Sequence, residues 1–418
     1  MNLVPIAEKA AQADEQSPFS DPDVIRLLCG RFLWIAGTQI CNVAIGWFIY
    51  DLTRSAWSLG LVGLAAFAPK LLLSLVAGVV ADRYDRRWIA AICLASSGLV
   101  GLGLLFAVVN PGTSIGAIYI LFMVSGAARS FAGPAIQAMI ANVVPRAQFS
   151  RVVGMSSSVG QTAIVMGPML GGFLYIGGAW LPFACASASF LVASALYLGI
   201  RKHNHTTSKE PVKFSDALAG LVFMWHRPVI LGAISLDMFC VLLGGATALL
   251  PIIASEILHI GPLGLGLLRA MPGVGAITLG IVLSYRPIER RAGAKLFTAT
   301  TIFGLATIGL GLSANFYLSC LFLWIIGASD VFSVVIRQTL VQSDTPDAMR
   351  GRVAAVNTLF IGASNELGEF ESGATAALFG LAPAILLGGA GTVAVSILWA
   401  MIFPNLRRRD RLVRSSAT

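Results

Sequence analysis

The sequence predicts an all-α membrane protein with twelve transmembrane helices arranged as two pseudo-symmetric six-helix halves. Three observations lead there. Hydrophobic residues make up 56% of the 418 positions and charged residues 12%, about half the ~25% typical of soluble domains; mean hydropathy is +0.81. Apolar runs long enough to cross a bilayer, which takes about 20 residues, recur along the whole chain. A stretch of the first half also reappears in the second at a fixed offset.

Taken in order, the predicted spans are 27–50, 57–81, 88–109, 114–141, 151–176 and 179–200, then 228–254, 262–284, 294–313, 315–343, 351–379 and 382–403. Connections after odd-numbered spans are short, as in NPGTS, GGA and SAN. The longest connection, 201–227, begins RKHNHTTSKEP and continues KFSDALAGLVFMWHR, a solvated linker followed by a candidate surface helix. The organisation expected is therefore an N-terminal tail at 1–26, a first half at 27–200, the linker at 201–227, a second half at 228–403 and a C-terminal tail at 404–418. Residues 1–26 are polar and acidic and do not read as a signal peptide. In the repeat, an offset of 201 matches Gly126 with Gly327, Gln137 with Gln338, Pro145 with Pro346 and Arg151 with Arg352. Duplicated halves around a central site suit a transporter better than a channel or a membrane enzyme.

Basic residues set the orientation. Of 29 Lys and Arg, 23 lie in the tails, the linker or the loops after even-numbered spans, and Arg54 stands alone on the other side. Both termini and the linker are thus expected in the cytoplasm of a bacterial inner-membrane protein. The pI of 9.5 reads as a rim facing anionic headgroups, without a nucleic-acid partner. Cys29, Cys41, Cys93, Cys185, Cys240 and Cys320 are scattered through apolar runs with no metal-ligand spacing, and His203, His205, His226 and His259 fall in loops or at span ends. No HExxH, GxSxG or P-loop occurs, so neither an enzyme site, a cofactor nor a metal is expected.

GVVADRYDRR, at 78–87, resembles the G-x-x-x-D-R-x-G-R-R motif of the major facilitator superfamily, with Asp85 in place of the second glycine. AIVMGPMLGG, at 163–172, matches the G-P-x-x-G-G motif of its exporting, proton-antiport members. ARSFAGP places Arg129 and Gly133 as that superfamily's R-x-x-x-G element in span 4. Together with YDLTRSAWSLGLVGLAAFAP and MRGRVAAVNTLFIGASNELGE, these resemble the twelve-helix branch that includes enterobactin exporters and related multidrug pumps. The resemblance implies the major facilitator fold and proton-coupled efflux of a small amphipathic molecule, siderophore or drug-like, by a monomer. The alternative is a facilitator or importer of the same fold. It implies a cytoplasmic latch of Gly78, Asp82, Arg83 and Arg86 against span 11, near Arg350 or Arg352. It also implies a flexible, closely packed span 5 through Gly167, Pro168, Gly171 and Gly172.

The charges within the spans are the remaining signal, since each unpaired one costs about 3 kcal/mol at mid-bilayer. In SNELGEFESG, at about 100° per residue, Glu366 and Glu369 lie about 60° apart on one face, and Glu371 about 140° from Glu366. Glu366 and Glu369 are the first candidates for proton coupling, through Arg129 or Arg337, with Asp237 and Asp330 next. The competing reading is a structural ion pair with Arg129 or Arg337. Lys70, Arg269 and Arg31 are candidate charges of a substrate cavity, or else contacts between helices.

Overall fold

The computed structural model describes residues 21–110, 112–144, 148–201, 221–286, 288 and 290–410; the side chains of a few helical residues, Asp82 among them, lie outside that description. Most of the linker and both tail ends, 1–20 and 411–418, also lie outside it, and the candidate surface helix lies partly outside.

The described residues form twelve long helical segments: α1 (Pro22–Thr53), α2 (Ala56–Arg83), α3 (Arg86–Val109), α4 (Ile115–Val143), α5 (Phe149–Ile176), α6 (Leu181–Leu198), α7 (Pro228–Leu243), α8 (Pro262–Tyr285), α9 (Ala292–Leu312), α10 (Phe316–Asp344), α11 (Asp347–Phe379) and α12 (Leu381–Ile402). Eleven are long and apolar enough to cross a membrane, α7 when continued to Ile257; α11 is the exception, and it carries the SNELGEFESG carboxylates. Helices dominate because lipid offers the backbone no hydrogen-bond partner, so each amide is satisfied within its own segment. Short polar residues begin several of them. Asp85 accepts the Arg87 amide at 2.9 Å, and Asn315 accepts those of Tyr317 and Leu318 at 2.9 and 3.2 Å. At the far end of α11, Gly380 sits at φ 90°, a conformation that suits glycine and lets α12 start at once.

Span 7 departs from the continuous helix expected over 228–254. Helix α7 stops at Leu243, and the chain continues as a 3₁₀ turn at Ala246–Leu249, a single α-turn at Leu250–Ile252 and a π-turn at Ile253–Ile257. Gly244 and Gly245 weaken the helix there, and Pro251 cannot donate the amide that a continuous helix needs. Gly245 also lets this bend press against α11: a Cβ placed on it would lie 2.6 Å from the Gly368 carbonyl oxygen.

Residues 1–44 and 68–211 group as one compact unit, and residues 45–67 and 212–418 as another. In the first unit, α3 packs on α4 and α6, with Ser194 Oγ donating to the Ala91 carbonyl at 2.7 Å. In the second, α8 packs on α10, α9 on α10 and α12, and α7 on α11 and α12. The hairpin formed by the end of α1 and the start of α2 belongs to this second unit. Gly60 and Gly373 bring it against α11, a Cβ on Gly373 lying 2.6 Å from Gly60 Cα. Small residues do this work throughout, since in lipid close backbone approach replaces hydrophobic driving force. Gly275 meets the Trp324 carbonyl, and Gly327 the Pro272 carbonyl, so α8 and α10 touch backbone to backbone.

That last contact is testable. Gly327→Ala should destabilise the second unit by about 1–3 kcal/mol through overpacking, lowering the thermal midpoint in detergent. An unchanged midpoint would mean that α8 and α10 separate without cost.

Candidate functional site

Within the second unit the charges gather where α7 meets α10. Arg337 Nη2 lies 3.1 Å from Asp237 Oδ2, and Arg337 Nη1 donates to Asn357 Oδ1 of α11 at 2.9 Å. Arg337 is 1% exposed and Asp237 5%. A buried charge persists only when paired and hydrogen-bonded, and three helices supply that here. Asp330, Ser333 and Arg337 stand at i, i+3 and i+7 on α10, which puts them on one helix face. Asp330 and Ser333 line a narrow cavity with Asp237, Cys240, Thr300 and Ser329. Asp330 is half-buried, and the Arg337 guanidinium reaches Asp237 and Asn357 in preference to it.

A comparable cavity lies in the first unit. Arg129 lines it from α4, with Thr38, Asn42, Ser97 and Ser125 as its polar neighbours. No carboxylate lines it among the described residues, so the local field is positive.

The carboxylates of α11 separate as their spacing predicts. Glu371 accepts from Thr375 at 2.8 Å on its own helix. Glu369 packs against α2, its Oε2 3.2 Å from a Cβ placed on Gly63, and its charge acts on Arg269 of α8. Arg269 in turn lies across from α1, with Nη2 3.1 Å from a Cβ on Gly46. Glu366 is half-buried one turn earlier on α11. Of the guanidiniums expected to serve this pair, Arg337 is paired with Asp237 from the adjoining helix. Arg269, expected at a substrate cavity or as a contact between helices, feels the Glu369 charge.

At the start of α3, Arg86 donates to Asn142 Oδ1 at 3.1 Å and to the Ala81 carbonyl at 3.2 Å, fastening the turn to α4. Asp85, the departure from the motif, caps α3, while Arg87 reaches the Ile200 carbonyl at 3.0 Å. Arg83 is exposed and Gly78 has open space where a Cβ would stand. Of the expected latch partners, Asp82 lies outside the described side chains. Arg350 donates to the Gln342 carbonyl at 3.3 Å, and Arg352 turns toward the Met349 sulfur. Arg31 lies against α5, with Nε 3.5 Å from a Cβ on Gly160, and Lys70 is half-buried in α2.

Along α5 the motif glycines press on α1. A Cβ on Gly167 would stand 2.6 Å from Gln39 Cβ, and one on Gly171 3.1 Å from Ile40 Cα. Pro168 and Gly172 are buried beside them.

Sequence reasoning missed two features. Asn357 completes the Arg337 pair, and its polar side chain on α11 gave no motif. At the α1–α2 hairpin, Arg54 pairs with Asp51 at 2.8 Å and with Glu256 at 3.5 Å, and Tyr50 donates to Glu256 at 3.1 Å. The spacing of Tyr50, Asp51 and Arg54 on one turn was the available signal.

A family model described as transmembrane secretion effector matches residues 16–417. The enterobactin exporter EntS of Citrobacter koseri is 27% identical over 387 residues, covering 90% of this chain and 91% of that protein. EntS of Escherichia coli O81 is 25% identical over 382 residues, with the same coverage. Among solved structures, an inward-facing, occupied bacterial homologue of the human lysosomal transporter Spinster superposes with TM-score 0.71 at 16% identity, over 94% of this chain and 97% of that one. A D-xylose-proton symporter gives TM-score 0.66 at 15% identity, over 93% and 98%. These structural likenesses establish the major facilitator fold.

The buried pair generates a prediction of its own. Asp237→Asn or Arg337→Gln alone should cost about 3–5 kcal/mol, because the remaining charge is stranded, whereas the double variant should recover much of that. Additive losses in thermal unfolding of the three variants would show that the two groups do not interact.

Proposed function

The chain belongs to the transmembrane secretion effector family of the major facilitator superfamily, and from that premise we propose that this secondary transporter is a proton-coupled exporter. Its substrate is a small amphipathic molecule of the siderophore or drug-like class. It works as a monomer in a bacterial inner membrane, with both termini cytoplasmic. The observation that carries the reading is the build of α5. Gly167 and Gly171 let it lie on α1 at backbone distance, and Pro168 removes one helix hydrogen bond from the same turn. A helix that is close-packed yet weakened at one turn can bend without first breaking side-chain interlock. Such bending is what alternating access asks of a helix bundle.

Export against a gradient needs a group that carries a proton one way and is empty on return. The intramembrane carboxylates, Glu366 and Glu369 on α11 and Asp237 and Asp330 across α7 and α10, are the available carriers, with Arg129, Arg269 and Arg337 as counter-charges. Since Arg269 feels Glu369, an anionic substrate arriving at Arg269 would compete with that carboxylate. Competition of this kind is a physical means of linking substrate to proton. Lys70 and Arg31 are proposed as further cavity charges. The loop of Gly78, Asp82, Arg83 and Arg86 is proposed as the cytoplasmic latch, meeting Arg350 or Arg352 at the start of α11. Distribution of the basic residues supports the orientation. Secretion is the activity described for the matching family, and enterobactin export is that named for its relatives.

Everted membrane vesicles test the reading, with enterobactin as the first probe and a cationic dye as the second. Uptake should build up when a proton gradient is imposed and collapse on adding an uncoupler. Flux that ignores the uncoupler would assign a facilitator instead. Gly167→Leu should insert normally yet abolish uptake, because α5 can no longer reach α1.

A further inference from the structure

The cavities of the two units are repeats of each other with the charge reversed. At the offset of 201 that relates α4 to α10, Arg129 falls on Asp330. At an offset of 199 between α1 and α7, Thr38 falls on Asp237 and Cys41 on Cys240. At 203 between α3 and α9, Ser97 falls on Thr300. All eight residues line their respective cavities. The duplicated fold thus offers one polar hollow per unit, positive in the first and negative in the second.

Asp330 is the central residue of α10, which runs from 316 to 344, with about 20 Å of helix on either side at 1.5 Å per residue. That places it near the bilayer midplane, where a lone ionised carboxylate is costly. The groups facing it can be named helix by helix. From α7 come Asp237 and Cys240, and from α9 Thr300 and Phe303, which carry no charge. From α10 itself comes Arg337, whose guanidinium is held by Asp237 at 3.1 Å and by Asn357 of α11 at 2.9 Å. On α8, Arg269 faces Glu369. One cation is therefore set against two carboxylates, and the cluster with every group ionised carries one negative charge. Ser333, one turn along from Asp330, is 3% exposed and its Oγ has no hydrogen-bond partner, although it lines the cavity. A buried hydroxyl without a partner asks for a group to bond.

We propose that this cavity is a binding site for one proton, carried on Asp330, with the Asp237–Arg337 pair as its fixed neighbour and Ser333 as the hydrogen-bond partner of the carboxyl group. Binding converts the carboxylate and one proton to the neutral acid, and release reverses it, with no other reactant. The cavity, about 10 Å³, holds about one water. Neutralising Asp330 removes the excess charge, so proton occupancy favours whichever conformation buries the cavity deeper. The assignment deepens the exporter reading and names its ion site, leaving Glu369 as the partner of Arg269.

The test needs no transported substrate. Full-length protein carrying a single reporter cysteine at exposed position 84, in a background without the native cysteines, is reconstituted in liposomes. Its maleimide labelling rate is followed across neutral pH. Divided at each pH by the rate of a free model thiol, which removes the thiolate's own pH dependence, the parent rate should change with pH, Asp330→Asn should give one ratio at every pH, and Asp330→Glu should keep the response. Ser333→Ala, which removes only a hydroxyl, should shift the pH midpoint while preserving the response. At fixed pH, exchanging sodium for potassium should leave the rate alone. The proposal is overturned if Asp330→Asn keeps the parent pH response, if Glu369→Gln abolishes it in place of Asp330→Asn, if the Ser333→Ala midpoint is unmoved, or if the rate follows sodium. A flat response in Asp330→Asn alongside uncoupler-insensitive vesicle flux would retain the site and reject proton-driven export, so the two readings fail separately.

Discussion

The ion pair between Asp237 and Arg337 decides what every other charge in its unit can do. Arg337 is the largest fully buried side chain among the described residues, and a guanidinium in that place needs a carboxylate and further acceptors to stay charged. Asp237 and Asn357 supply them, which ties α7, α10 and α11 at one point. The Nη1 and Nη2 of Arg337 are taken by Asn357 and Asp237, which leaves the buried Nε without a hydrogen-bond partner. Glu369 finds Arg269. Asp330 is lined by neutral oxygens and the Asp237 carboxylate, and it feels the Arg337 charge through space.

A second constraint is that lipid gives helices no hydrophobic reason to associate. Contacts must come from packing, and the chain supplies them with glycine placed against backbone. Gly275 and Gly327 join α8 to α10, while Gly368 and Gly245 join α11 to the break after α7. The pair of Asp237 and Arg337, at 3.1 Å, sits among helices packed in this way.

Much of the architecture was legible in the sequence because its signals are one-dimensional. Span length, Lys and Arg placement and the offset of 201 can be read without knowing a single contact. The family motifs were likewise short and contiguous, as at Gly167–Gly172. What could not be read was which charge meets which. Helical spacing correctly set Glu371 apart from Glu366, yet the partners of Glu369 and Arg337 depended on which helices adjoin. The break after Leu243 was foreshadowed by Gly244, Gly245 and Pro251, but an apolar run of that length looks continuous by hydropathy alone. Asp85 read as a flaw in a motif, whereas at the head of α3 it is a helix cap.

Charge reversal at equivalent positions gives the duplicated fold a property that neither unit has alone. Two identical hollows would bind the same class of group with the same sign. Exchanging Arg129 for Asp330 at one repeat position, and Thr38 for Asp237 at another, gives one hollow a positive lining and the other an acidic one. Arg337, which pairs with Asp237, stands where the first half has Ile136. Adding an acid and a base together leaves the net charge of the hollow where Asp330 set it, at one negative charge. The polar positions that differ between the two hollows, Arg129 against Asp330 and Thr38 against Asp237, thus set their opposite signs of charge on a duplicated helical frame.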